Sequence, residues 1–225
     1  SREWRYARFK EDMKIWNCNL LATAHHLGDQ AETVLYRLFR GSGTTGLAGI
    51  YPCKDNIIRP LLSVSKEDIL DYCLMENLPY AIDQSNLEPR YERNKIRLHL
   101  LPQLERDYND NIQQALGRTA ELLRRDEEFI NSQVETRWNK FVSITSDGYL
   151  IIDYKAWDEP EAVLSRILRK AAAEVSGETR GIEYKYIKTM MKEGRKKGWC
   201  QDLPNIKVQA AKYGFLFFRG ELVRE

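Results

Sequence analysis

Long apolar runs are missing from this 225-residue sequence. None approaches the roughly 20 residues that a helix needs to cross a bilayer. The opening Ser1-Arg2-Glu3-Trp4-Arg5 is charged and aromatic, unlike a secretory leader. Cysteines are few, and Cys18, Cys53, Cys73 and Cys200 form no Cys-x-x-Cys pair. That spacing argues against an iron–sulfur cluster or a structural zinc site. The reading is of free thiols in a reducing cytoplasm, with no metal-ligand set. Excess charge is also nearly absent: 35 Lys and Arg face 33 Asp and Glu, a net +2. The chain as a whole is no polycation, so any contact with nucleic acid needs a local patch. No internal repeat or low-complexity segment interrupts it. What is present is ordinary globular material. A 43% hydrophobic content supplies a core, and the length suits one large domain or two small ones.

The most informative stretch runs from Leu20 to Ile50. Leu20-Leu21-Ala22-Thr23-Ala24 suits a fully buried strand, although a run this short also fits a helix segment. His25 and His26 mark its carboxyl end. Beyond Gly28 the period becomes helical. Ala31, Val34, Leu35, Leu38 and Phe39 form one apolar stripe, and Asp29, Thr33, Tyr36 and Arg40 occupy the opposite face. Glu32 follows Asp29 by three residues and stands beside it. Arg40-Gly41-Ser42-Gly43 closes the helix, as glycine accepts the left-handed terminus. A strand, a polar turn and a helix with carboxylates at its start is how open α/β sheets build ligand sites. A histidine pair at a helix start also serves as a simple cap, and Gly-Ser pairs are common in loops.

Further along, Ser1 to Trp16 reads as an amphipathic helix. Ile57–Val64 reads as a short strand and turn, and Ser65-Lys66-Glu67-Asp68 as a capped helix start. Asp83-Gln84-Ser85-Asn86 is a polar turn. Arg93 and Arg97, four apart, share a helix face that suits phosphate through bidentate hydrogen bonds. A solvated basic face paired with Glu88 or Glu92 gives the same pattern. A helix of roughly thirty residues starts at Asn109 or Asn111, which is long for a globular helix; two helices broken near Asp126 fit nearly as well. The remainder reads as a second domain. It holds a hairpin around Ser146-Asp147-Gly148, a helix begun by Pro160 with Val163, Leu164, Ile167 and Leu168 inward, and a helix from Ile182 to Glu193. Two strands follow, joined through Tyr213-Gly214. From Glu183 to Glu225, ten Lys or Arg face five Asp or Glu, a local +5. Lys185, Lys188, Lys192, Arg195, Lys196 and Lys197 would neutralise RNA phosphates, and Tyr184 and Tyr186 would stack on bases. A soluble charged helix carries the same charges.

The string AHHLGDQAETVLYRLFRGSGTTGLAGI resembles the second signature of the tRNA(Ile)-lysidine synthetases, within the PP-loop ATPase superfamily. Gly28 departs from it, since the family usually carries Asp there. Arg59-Pro60-Leu61-Leu62 is similar to the family's R-P-L-L element. Residues Asp83 to Arg97 resemble its Asp-x-Ser-Asn … Tyr-x-Arg-Asn-x-Ile-Arg motif. No Ser-Gly-Gly-x-Asp-Ser phosphate loop occurs in the chain. The expectation is therefore a fragment lacking that amino-terminal half and inactive alone.

The resemblance implies an α/β fold: the carboxyl-terminal part of a Rossmann-like PP-loop ATPase domain (residues 1–106), a linking helix (107–140) and a smaller α+β substrate-binding domain (141–225). It implies ATP-dependent ligation of lysine to C2 of the wobble cytidine of tRNA(Ile), bearing a CAU anticodon, through an adenylated cytidine. Asp29, Glu32, Arg93 and Arg97 would be catalytic. His25, Arg40, Gly41, Ser42 and Gly43 would lie by the nucleotide. Arg59, Asn86 and Asn94 would meet tRNA, together with Lys185, Lys188, Arg195, Lys196 and Lys197. ATP with Mg²⁺ and free lysine are the implied small partners, with no membrane; whether the chain forms a homodimer stays open. A 2-thiocytidine sulfurtransferase and a non-catalytic tRNA-binding module are the alternatives. The first would need closely spaced cysteines for a cluster.

Overall fold

The computed structural model describes residues 2–81, 92–178 and 181–220. It is a mixed α/β structure in two compact units, residues 1–127 and 128–225.

The first unit begins with helix α1 (Arg2–Ile15), which leaves Trp4 and Ile15 exposed. Strand β1 (Leu21–Ala22) pairs in parallel with β3 (Ile57–Ile58), and β2 (Cys53–Lys54) pairs antiparallel on the other side of β3. The order β1-β3-β2 leaves β1 at an edge, so Leu20 to Ala24 is not the fully buried strand its composition suggests. Leu21 and Thr23 are partly covered, while Leu20, Ala22 and Ala24 are exposed. Helix α2 (Leu27–Phe39) leaves β1 through the two histidines, and α3 (Thr44–Leu47) is a single turn beyond it. Ser65 caps α4 (Lys66–Met75), accepting a hydrogen bond from the Asp68 amide. Then come α5 (Glu92–Lys95), a π-helical turn at Ile96–Leu100 and α6 (Leu101–Asp107). Ala31 and Leu35 of α2 pack on Ile96 and Leu101 to make the core of this unit.

Here the sequence stripe needs correcting. Leu38 and Phe39 are exposed, while Gln30, Glu32 and Thr33 are buried with Ala31, Val34 and Leu35. The first half of α2 is enclosed nearly all round, and its carboxyl end is not. Gln30 explains part of this. Its side-chain amide accepts from Ile50 N at 2.6 Å and donates to Ile50 O at 3.3 Å, so a polar residue is satisfied indoors.

Helix α7 (Ile112–Phe141) runs unbroken for 30 residues, through Asp126 and across the boundary between the units. In the second unit β4 (Val142–Ile144) and β5 (Leu150–Ile152) form a hairpin. A 3₁₀ turn at Tyr154–Asp158 leads to α8 (Glu161–Ser176), which Gly177 ends at φ 73°. Helix α9 (Tyr184–Glu193) follows, then β6 (Cys200–Leu203), β7 (Ile206–Ala211) and β8 (Gly214–Phe218). The five strands make an antiparallel sheet ordered β4-β5-β8-β7-β6. Strand β6 is absent from the sequence reading, because Cys-Gln-Asp-Leu carries little β-branched or aromatic signal. Val163, Leu164, Ile167 and Leu168 of α8 are buried as their spacing predicts. Phe215 and Phe217 lie at the centre, with Trp157 edge-on to Phe215 at 5.3 Å and Trp199 stacked at 5.8 Å.

Candidate functional site

The start of α2 gathers the polar groups. His26 is its N-cap: Nδ1 accepts from Gly28 N at 3.0 Å, and Asp29 Oδ2 accepts from His26 N at 3.0 Å. This is a reciprocal capping box, with His and Asp in place of the usual Ser and Glu. With Nδ1 an acceptor, the imidazole hydrogen sits on Nε2, 3.6 Å from Asp29 Oδ2. His25 is engaged separately, its Nδ1 2.9 Å from Thr23 Oγ1. A side chain at Gly28 would meet the His26 ring at 2.8 Å, so an acidic residue there requires the ring to move.

Asp29 and Glu32 converge on one cation. Arg97 Nε donates to Glu32 Oε1 at 2.5 Å, and its Nη2 donates to Glu32 Oε2 and Asp29 Oδ1, each at 3.1 Å. The two parallel bonds to Glu32 are the bidentate geometry that makes guanidinium–carboxylate pairs strong. The Glu32 side chain is only 6% exposed, so its charge could not stand there alone. Burial pushes the Glu32 carboxyl up from its ordinary range, and the hydrogen bonds and charge of Arg97 pull the other way. For Arg97, burial opposes the charge, but hydrogen bonding to Glu32 and the charges of Glu32 and Asp29 outweigh it and hold the guanidinium protonated. Beside this triad opens a cleft of about 210 Å³, whose lining includes Glu32, Arg97, Lys66, Glu67 and Glu105.

Arg93 is not part of the triad. It lies over the Tyr36 ring at 5.5 Å, and Arg40 lies over the same ring at 4.5 Å while pairing with Glu92 at 2.9 Å. Sequence spacing put Arg93 and Arg97 on one face with a common task; the structure gives them different neighbours. Gly41 closes α2 at φ 67°, and a Cβ built on Gly41 or Gly43 meets no described atom within 4 Å. The space over that turn is open. The turn is held from behind by residues the sequence did not single out. Arg37 Nη1 donates to Gly46 O at 2.7 Å and Gly49 O at 3.0 Å. Thr44 and Thr45 donate to the two oxygens of Glu127 at 2.5 and 2.9 Å. Glu127 is 1% exposed, yet it sits in the charged run Arg124-Arg125-Asp126-Glu127-Glu128, where nothing local marks it.

Arg59 donates to Tyr51 O at 2.7 Å. Asn94 is half-buried, and Asn86 lies outside the described residues. In the second unit the basic groups are partly committed. Arg195 binds Asp158 at 2.6 Å and Tyr154 O at 2.8 Å, Lys185 pairs with Glu183 at 3.0 Å, and Lys196 pairs with Glu193. Tyr184 is exposed, whereas Tyr186 packs against the core. Among the described residues no three His, Cys, Asp or Glu side chains converge as a metal cage, and no helix is long and apolar enough to cross a membrane.

Comparison with known proteins adds the family. Residues 1–104 match the PP-loop domain. A tRNA(Ile)-lysidine synthase of Clostridium perfringens is 41% identical over 191 residues, covering 84% of this chain and 40% of that protein. The Clostridium acetobutylicum protein of the same name is 35% identical over 220 residues, 97% of this chain and 48% of its own. That of Clostridioides difficile is 34% identical over 230 residues, 100% of this chain and 50% of its own. The chain spans about half the length, or somewhat less, of the curated relatives it matches. With a PP-loop domain at residues 1–104 and these relatives along most of its length, the chain belongs to the tRNA(Ile)-lysidine synthase family.

Proposed function

We propose that this chain carries the lysine-handling part of an ATP-dependent ligase that joins lysine to C2 of the wobble cytidine of tRNA(Ile), forming lysidine. The observation that supports this most is the carboxylate pair Asp29 and Glu32, already built around one cation, with Glu32 facing a small cleft that has Glu67 and Glu105 on its wall. A lysine ammonium is a second cation of the kind such a cleft accepts.

The reaction has two stages. ATP supplies the adenylyl group that turns the C2 oxygen of cytidine into a leaving group. The ε-amine of lysine then attacks C2, AMP departs, and the ammonium proton must pass to a base. Glu32 is the proton acceptor: its carboxyl is pushed upward by burial, and it lies on the cleft. Asp29 and Arg97 hold Glu32 in place. The open turn Arg40-Gly41-Ser42-Gly43 and His25 lie toward the nucleotide, whose phosphates can approach a backbone without Cβ atoms. Among the described residues no cluster of His, Cys, Asp or Glu fits a magnesium cage.

The test separates the stages. With this chain joined to the remaining sequence of the Clostridium perfringens relative, Glu32→Gln is expected to retain pyrophosphate release from ATP and tRNA. Lysine incorporation should fall by roughly ten- to a hundredfold, the worth of one charge-assisted hydrogen bond. Equal loss of both activities, or unchanged lysine dependence, would overturn the assignment.

A further inference from the structure

A larger cleft, of about 760 Å³, lies elsewhere in the first unit, between the end of β3 and helix α7. Its α7 wall is one helical face, Gln114, Gly117, Arg118, Glu121 and Arg124, at spacing i, i+3, i+4, i+7, i+10. Gly117 lets that face approach α2, for a Cβ there would meet Leu27 Cδ1 at 2.8 Å. Three guanidinium groups line this cleft: Arg59, Arg118 and Arg124.

Among the described residues none of the three forms an ion pair. Elsewhere Arg40, Arg97, Arg137 and Arg195 each meet a carboxylate. Arg124 instead donates to Ile50 O at 3.0 Å and lies over the Tyr51 ring at 5.6 Å. Arg59 donates to the next carbonyl, Tyr51 O, and its Nε is buried with no hydrogen-bond partner among the described residues. Arg118 has no ion pair or hydrogen bond among the described residues. The one carboxylate on the wall, Glu121, is taken by Arg125. Three like charges around one cavity cost stability, and an anionic ligand relieves that cost.

We propose that this cleft binds consecutive backbone phosphates of an RNA strand, through Arg59, Arg118 and Arg124. Arg118 and Arg124 stand about 9 Å apart along the helix axis, which suits neighbouring phosphates of a strand better than one small anion. The apolar floor, with Leu27, Ile58 and Leu62, offers a surface for the faces of the bases. This rests on the reading that the chain acts on tRNA, and adds to it a site in the first unit that grips RNA by charge rather than by sequence.

The experiment uses the 225-residue chain with two probes, a fluorescent single-stranded oligoribonucleotide about ten residues long and AMP. The expected result is salt-dependent RNA binding. In Arg118→Gln/Arg124→Gln it weakens at least about tenfold, and the slope of log K against log salt falls by roughly 0.7 per arginine. The melting temperature of Arg118→Gln should hold or rise, because a repelling charge is gone; a purely structural arginine would lower it. Unchanged RNA affinity and slope in the double variant overturn the proposal. So does AMP binding as strongly as the oligonucleotide with the same arginine dependence, which marks a free-nucleotide site. RNA binding with cleft dependence but no lysine incorporation in the completed protein would sink the ligase reading and leave the cleft standing.

Discussion

Arg97 and Glu32 are 65 residues apart in sequence and share two hydrogen bonds, at 2.5 and 3.1 Å, at the base of the candidate site. Removing one partner of such a buried pair leaves the other charged and desolvated. Arg97→Ala should therefore cost about 3–5 kcal/mol of stability at neutral pH. The loss should depend on pH. Burial raises the Glu32 carboxyl, and without Arg97 it rises further. A raised carboxyl favours the fold below its unfolded pKa, and that benefit disappears as pH climbs through the folded value. The deficit of the variant should be smallest near pH 4 and grow toward pH 7. Urea melts across that range read it directly, and a pH-independent deficit would mean Glu32 is not the group left stranded.

Glu127 holds Thr44 and Thr45 in front of the open turn. Glu127→Ala should lower stability by about 1.5–3 kcal/mol, the worth of a hydrogen bond to a charged group. Amide exchange at Thr44 to Ala48 should quicken more than exchange in the second unit. Uniform change across both units would argue against a local role for this carboxylate.

In the second unit, Lys188 and Lys197 make no described ion pair, while Arg195 is tied to Asp158. If this unit meets tRNA phosphates, Lys188→Ala and Lys197→Ala should each reduce the salt slope of tRNA binding by roughly one. Arg195→Ala should act chiefly on stability. Filter binding between low and physiological salt, beside a thermal melt, distinguishes the two.

The sequence contains no Ser-Gly-Gly-x-Asp-Ser loop. We expect the 225-residue chain by itself to form no AMP from ATP above background, with or without tRNA. Steady AMP formation by the purified chain would show that the described residues suffice for nucleotide chemistry.

Local signals were readable where the residues that set an element sit next to it. Ser65 starts α4, Pro160 starts α8, and Ser146-Asp147-Gly148 marks the turn of the β4–β5 hairpin. Burial was harder. Leu20 to Ala24 has the composition of an interior strand but lies at the edge of a three-stranded sheet, and edges are set by partners far along the chain. Strand β6 exists because β7 pairs with it, not because Cys-Gln-Asp-Leu prefers to be extended. The same holds at the candidate site. Asp29, Glu32 and Arg97 stand out individually, yet that the guanidinium would occupy both carboxylates is tertiary information. Glu127 and Gln30 were invisible for the same reason: a buried polar side chain looks like a surface one until its partner is known.

The π-helical turn at Ile96–Leu100 contains Arg97. A π turn is an α-helix carrying one residue more than its register needs, kept at an energetic cost. Deleting a single residue between Arg97 and Leu101 would let α5 and α6 join as regular α-helix and would gain local hydrogen-bond geometry. It would also remove the widened turn that carries Arg97, changing where its guanidinium projects relative to Glu32 and Asp29. A shortened, better-formed helix that has lost its grip on those carboxylates is the expected outcome of that one-codon change, so a length difference at this turn would mark where relatives diverge in what they do with the cleft.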